Sequence, residues 1–245
     1  NIVQRIKTTA PNKIIFLDLV VDQQEDVVKK LRGFADIMII DHHQILRDLN
    51  KDNIVHFNPR FTDPRLYTST TYNAYKICSG IKVMQESLWL AGVGMVSDYN
   101  LDDSKDIVEL VRKKYGMEGK PYDSFIGRVA DMIFSARATK DMSCEQMANL
   151  FTSAENPEAL KDMDNYRKME HASAVIEEEI SAIMEDARIN AKKDSNVVLY
   201  NIKSKYNLDS VISTKISEKH LDKLVIVYSK KEKRYKISAR NQKKN

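Results

Sequence analysis

Apolar positions along the first sixty residues come in short β-branched runs separated by polar stretches. "KIIFLDLVV" (Lys13 to Val21), "DIMIID" (Asp36 to Asp41) and "NIVHFN" (Asn53 to Asn58) each read as a strand. Between the first two, "QQEDVVKKLRGF" has the apolar spacing of a short helix. Strand, helix and strand in that order make a βαβ unit, whose parallel strands require a covered sheet and a right-handed crossover. After the third strand, "TSTTYNAYKIC" opens on Ser/Thr capping residues and continues with helical spacing of Tyr72, Tyr75 and Ile77. The fold class predicted is α/β, built on a parallel sheet.

Residues 84–97, "MQESLWLAGVGMVS", predict a buried helix. Each glycine inside it costs about 1 kcal/mol relative to alanine, so close backbone approach to the sheet is the expected reason for both. A helix pair follows over Ser104 to Tyr115 and Tyr122 to Thr139. From Pro157 to Lys193 no proline or glycine follows the first residue, and Ala172, Val175, Ile176, Ile180, Ile183, Met184 and Ala187 recur every three or four positions. That spacing predicts one long amphipathic helix, roughly 45 Å or more if unbroken, serving as an interdomain connector or a dimerising coiled coil. Beyond it "NVVLYNI", a helix around "SVISTKISEKHL", and the strands "KLVIVYS" and "RYKISARN" joined by the turn "KKEK" make a second α/β unit too short to complete a core alone. The expected domains are residues 1–156, a connector over 157–193, and a partial domain over 194–245.

Composition is that of an ordinary globular protein of 245 residues. Cys78 and Cys144 stand far apart in no metal or redox spacing, which favours a reducing, cytoplasmic setting. No apolar run reaches the roughly 20 residues that cross a bilayer, so no membrane association is expected. The formal net charge of +4 hides an asymmetry. From Lys192 to Asn245, 15 Lys or Arg stand against 5 Asp or Glu, a surplus of ten, which leaves residues 1–191 net negative. A basic end on a mildly acidic body suits a polyanion, although a solvated lysine-rich surface has the same composition.

Chemistry concentrates where the predicted strands end. Ligands of parallel sheets gather at the carboxyl ends of strands. Asp18 closes the apolar part of the first strand, Asp41, His42 and His43 close the second, and Asp98 closes the apolar helix. Taken singly, Asp18 and Asp98 read as capping or loop residues, and His56, His171 and His220 as surface or core histidines. The triplet is different, because burying a carboxylate and two imidazoles without partners costs several kcal/mol. Oxygen and imidazole donors without thiolate favour Mn, Fe, Co or Zn over Mg alone.

At these residues the sequence resembles the DHH phosphoesterase superfamily, whose second, third and fourth motifs match "FLDL" (Asp18), "DHH" (Asp41, His42, His43) and "GMVSDY" (Asp98) in order. The connector and the "YKISAR" segment resemble the linker and the start of the DHH-associated C-terminal domain, so the likeness spans nearly the whole chain. The closest flavour is the archaeal RecJ-like group, which includes a nuclease associated with the GINS replication complex. The resemblance implies a two-metal site served by Mn, with Mg or Co as alternatives. In it Asp18 bridges the ions, His42 and Asp98 ligate one of them, His43 meets the scissile phosphate or leaving group, and Asp41 orients an imidazole. Arg240 in "ISAR" takes the part of a contact to a nucleotide phosphate. Asp22 is a reserve ligand, and Ser69 and Thr70 cap a helix facing the cleft.

The family's first motif and its C-terminal glycine-rich motif are missing, and both omissions fall at the chain ends, as a shortened chain would have them. The function implied is a metal-dependent phosphodiesterase releasing mononucleotides from single-stranded DNA or RNA, or from short oligonucleotides. A replication-complex protein of the GINS type is the implied partner. Two alternatives keep the fold: a phosphoesterase of cyclic dinucleotides or nucleotide phosphates, and a non-catalytic replication scaffold.

Overall fold

The structure is a computed structural model that describes residues 2–99, 101–117, 119–231 and 234–242. It forms two compact units, one of residues 1–130 with 154–159 and one of residues 131–153 with 160–245. The segment 131–153, expected by sequence in the first domain, thus folds with the second unit.

In the first unit, helix α1 (Ile2–Thr8) precedes β1 (Lys13–Leu17), α2 (Glu25–Leu31), β2 (Asp36–Ile40) and β3 (Ile54–Phe57). The strands form a parallel sheet in the order β1-β2-β3, with Ile15 opposite Met38 and Met38 opposite Val55. This is the α/β fold that the strand–helix–strand pattern predicts. Ile37 and Ile39 of β2 are buried with Val28 and Leu31 of α2, Leu49 and Ile54. Alternation then sends Ile15, Leu17, Val55 and Phe57 to the opposite face, where they are 38–57% exposed. Among the described residues the sheet is thus covered on the α2 face and partly open on the other.

Helices α3 (Thr70–Ser79), α4 (Leu88–Ser97) and α5 (Lys105–Tyr115) follow, with α4 packed between the other two. Seven of the ten residues of α4 are buried, as its apolar text predicts. Its glycines, however, admit helices and not the sheet. A Cβ on Gly92 would lie 2.9 Å from Val111 of α5, and one on Gly94 would lie 2.3 Å from Thr71 of α3. Two helices must cross here at backbone distance, and only residues without side chains allow it.

Helix α6 (Phe125–Thr139) begins in the first unit and ends in the second, which continues with α7 (Cys144–Ser153), absent from the sequence reading. The long amphipathic stretch is α8 (Asp164–Asn190), 27 residues or about 40 Å, preceded by a 3-10 turn at Glu158–Asp162. The helix is shorter than expected at both ends. Strands β4 (Lys192–Lys193), β5 (Val197–Asn201), β6 (Leu224–Lys231) and β7 (Arg234–Asn241), with α9 (Asp209–Glu218) between β5 and β6, complete the chain. Their order is β4-β5-β6-β7, and only β5 and β6 run parallel.

Alternation along β5 and β6 explains how so short a unit folds. Val198, Tyr200, Val225 and Val227 point one way and are buried with Ile212 and Ile216 of α9 and with Ile176, Ile183 and Ala187 of α8. The predicted connector is thus a wall of the second core. Of the predicted turn "KKEK", Lys230 and Lys231 belong to β6, and Glu232 and Lys233 lie outside the described residues. No helix among the described residues is long and apolar enough to cross a membrane.

Candidate metal centre

The site is built where β1 and β2 end. Asp18 follows β1 with φ of 59°, in the left-handed region that Asp tolerates better than most side chains. Its N–H donates to the Ile40 carbonyl at 3.1 Å, one last parallel pairing before the chain turns away. Its carboxylate, left half exposed, accepts from Thr70 Oγ1 at 3.1 Å and lies 3.2 Å from His42 Nε2. Thr70 is the first residue of α3, and Ser69 caps that helix by accepting from the Tyr72 N–H.

The triplet divides its labour. Asp41 and His42 are buried, each 4% exposed, whereas His43 is open to solvent. Asp41 Oδ1 meets His43 Nδ1 at 2.7 Å, which leaves Nε2 as the outward-facing nitrogen of His43. Asp41, the carboxylate expected to orient an imidazole, is thus paired with His43. His42 has no such partner among the described residues, where its Nδ1 is buried without a hydrogen bond. Its ring instead stacks on Tyr67, centroids 5.0 Å apart and planes inclined 22°, and meets His43 edge-on at 4.7 Å.

One ligand atom each of Asp18, His42 and His43 lies within 4.8 Å of the others. A carboxylate and two imidazoles converging so closely, one ring oriented by a buried acid, match the donor set of a transition-metal site. Asp98, immediately after α4, lies close enough to sense the cluster but is not in that group. Burial pushes its carboxyl above the usual range; the imidazole of His42 opposes the shift and the charge of Asp18 adds to it.

The other expected residues go elsewhere. Asp22 is buried, and its Oδ2 accepts from the Leu46 and Arg47 N–H groups at 2.6 and 3.2 Å, so it fastens the loop after the triplet. His56 is a core residue of β3, packed against Phe61, with burial holding its pKa below the ordinary value against the pull of Asp22, Asp48 and Asp41. Arg240 belongs to the second unit, where its guanidinium donates to Ser210 Oγ at 2.8 Å.

Sequence reasoning missed Asn58, Arg60 and Tyr67. Asn58 Nδ2 donates to the His43 carbonyl at 3.0 Å and Arg60 Nε to the His42 carbonyl at 2.9 Å, so the loop after β3 fixes the backbone of the triplet. The phenol of Tyr67 is pushed up by burial and by the charges of Asp98 and Asp18, against Arg60. The one available signal was "NPR" directly after a strand beside the triplet's own.

No sequence profile of a known family matches the chain. No curated protein matches it either. Solved structures do resemble it. A crystal structure of exonuclease RecJ bound to manganese matches with a TM-score of 0.59 at 14% identity, covering 89% of this chain and 61% of that one. RecJ from Thermus thermophilus with Mn²⁺ matches with a TM-score of 0.65 at 14% identity over 93% of this chain and 38% of that one. The same protein with Mg²⁺ gives 0.51 at 15% identity, over 93% and 42%. The likeness is one of fold, and the chain spans less than two thirds of each of these proteins.

Proposed function

We propose that the chain is a metal-dependent phosphoesterase of the DHH type that releases mononucleotides from single-stranded nucleic acid or short oligonucleotides. The observation that carries this reading is the convergence of Asp18, His42 and His43 at the carboxyl edge of a parallel sheet. Two matched structures are of RecJ with manganese and one is of RecJ with magnesium, which supports a divalent ion. Manganese is the ion we favour, because an imidazole ligand suits it better than magnesium. When bound, the ion supplies Lewis acidity toward a phosphoryl oxygen and lowers the pKa of water.

The chain's own residues do the rest. Asp18, held by Thr70, His42 and Asp98 would carry the ion's ligand atoms. His43, fixed by Asp41 through Nδ1 and exposed, is placed, in its imidazolium form, to donate a hydrogen bond from Nε2 to a phosphate oxygen or to protonate a leaving group. In the second unit Arg240 and the basic segment 192–245 would hold the strand's phosphates, giving affinity that falls steeply with salt. We assign the domains as a DHH unit, a connector helix and a substrate-binding unit, and a reducing cytoplasmic setting suits the two free cysteines. A replication-complex protein of the GINS type is the partner we would test.

The test is release of mononucleotides from 5′- and 3′-labelled single strands with Mn²⁺ or with chelator, beside His42→Ala. Metal-dependent cleavage lost in the variant is expected. Strand binding without cleavage at any length would overturn the nuclease and favour a small substrate or a scaffold.

A further inference from the structure

Histidines that ligate metals ordinarily donate their second ring N–H to a carboxylate or carbonyl, which fixes the ring. Asp41 would give His43 such a support, but His42, the imidazole assigned to the ion and the more deeply buried of the two, lacks one: Nε2 faces Asp18, and Nδ1 is buried with no hydrogen-bond partner among the described residues. A ring held at one nitrogen alone is free to turn about χ2 unless packing stops it.

We propose that Tyr67, backed by Arg60, is the positioning residue for His42, a ring stack taking the part that a hydrogen bond to Nδ1 plays elsewhere. The inference rests on the metal reading above. Tyr67 covers one face of the imidazole nearly parallel at 5.0 Å, while His43 abuts it at 82°. Stacked faces resist ring rotation, since turning the imidazole out of plane drives its edge into the phenol.

Tyr67 is itself tied down. Its N–H donates to Asp103 Oδ2 at 2.9 Å. The guanidinium carbon of Arg60 lies 5.8 Å from its ring centroid. Arg60 also reaches the His42 carbonyl through Nε and the Pro64 carbonyl through Nη1. One guanidinium thereby couples the backbone of the ligand to the loop that carries the stacking ring. Lysine, with no planar fork, does not reproduce this arrangement.

The experiment is Mn²⁺ titration by calorimetry, without substrate, on wild type, Tyr67→Phe, Tyr67→Ala and Val111→Ala, with thermal unfolding of each. Val111 is a fully buried α5 residue outside the cluster and controls for lost stability. Tyr67→Phe keeps the stacking face and is expected to bind as wild type. Tyr67→Ala is expected to bind about tenfold to a hundredfold more weakly, the usual loss when a ligand's support is removed. Val111→Ala, though less stable, is expected to keep its affinity. Should Tyr67→Ala not fold, Tyr67→Leu, which keeps bulk without a π face, replaces it.

Wild-type affinity in the alanine or leucine variant overturns the proposal, as does a phenylalanine variant as weak as they are, because the hydroxyl would then be at work. Equal weakening in Val111→Ala overturns it too. Absence of Mn²⁺ binding in the wild type is a separate result: it removes the metal reading and the proposal with it.

Discussion

Gly94→Ala is the most exacting test of how the fold builds the site. A Cβ at this position would lie 2.3 Å from Thr71 Oγ1, 2.4 Å from its Cβ and 2.7 Å from its Cγ2. A rotamer change moves Oγ1 and Cγ2 but cannot move the Thr71 Cβ, so α3 and α4 must part by more than an ångström to restore ordinary contact. Overpacking of this kind costs about 1–3 kcal/mol, and the rigid Cβ puts this case near the upper figure. Replacing glycine inside a helix returns about 1 kcal/mol. The net expectation is a loss of about 2 kcal/mol, roughly thirtyfold in the folding constant. Urea unfolding of Gly94→Ala, Thr71→Gly and the double variant measures it, because in the Thr71→Gly background the obstruction is gone and Gly94→Ala should turn neutral or stabilising. If Gly94→Ala were already neutral in the wild-type background, the close crossing of α3 and α4 would be wrong. The same separation would carry Thr70 away from Asp18 and shift Asp98, so Mn²⁺ affinity should fall with stability.

Further outcomes are expected elsewhere in the chain. His56 has a folded pKa below its unfolded one, chiefly through burial, so the unfolded ring takes up a proton first as pH falls. Its contribution to stability is whole above about pH 6.5 and is lost as pH drops toward the folded value. Urea midpoints at pH 7.5 and 5.5 should therefore differ more for wild type than for His56→Gln, and equal differences would refute this. Asp209, 2% exposed at the start of α9, accepts from Ser229 Oγ at 2.6 Å and from Lys236 Nζ at 3.2 Å. Burial opposes its ionisation, yet those bonds and its backbone hydrogen bond outweigh it and hold the carboxyl below the usual range. Asp209→Ala should cost about 2–3 kcal/mol, read by thermal unfolding, because it strands a buried hydroxyl and removes a hydrogen-bonded charge.

Much of this protein was legible in its text because burial writes a local period. A strand's alternation and a helix's 3.6-residue stripe showed β1, β2, β3, the buried α4, the long α8 and the strands β5, β6 and β7 of the second unit. The Asp41–His42–His43 triplet stood out since two imidazoles and an acid after an aliphatic run have no cheap structural use. Boundaries were less secure: Asp18 belongs to no strand because its backbone turns left-handed, a choice that one Asp in a row of aliphatics does not announce.

Only the tertiary structure decided which partner each group has. That Asp41 serves His43, that Asp22 binds a loop 24 residues on, and that Arg60 and Tyr67 secure His42 are pairings across turns of backbone. The glycines of α4 signalled a close approach, but whether the neighbour was sheet or helix depended on how distant segments packed. A sequence states which side chains must find company; contacts between remote residues are settled by the packing of the whole unit, where chain entropy, volume and hydrogen-bond satisfaction are met together.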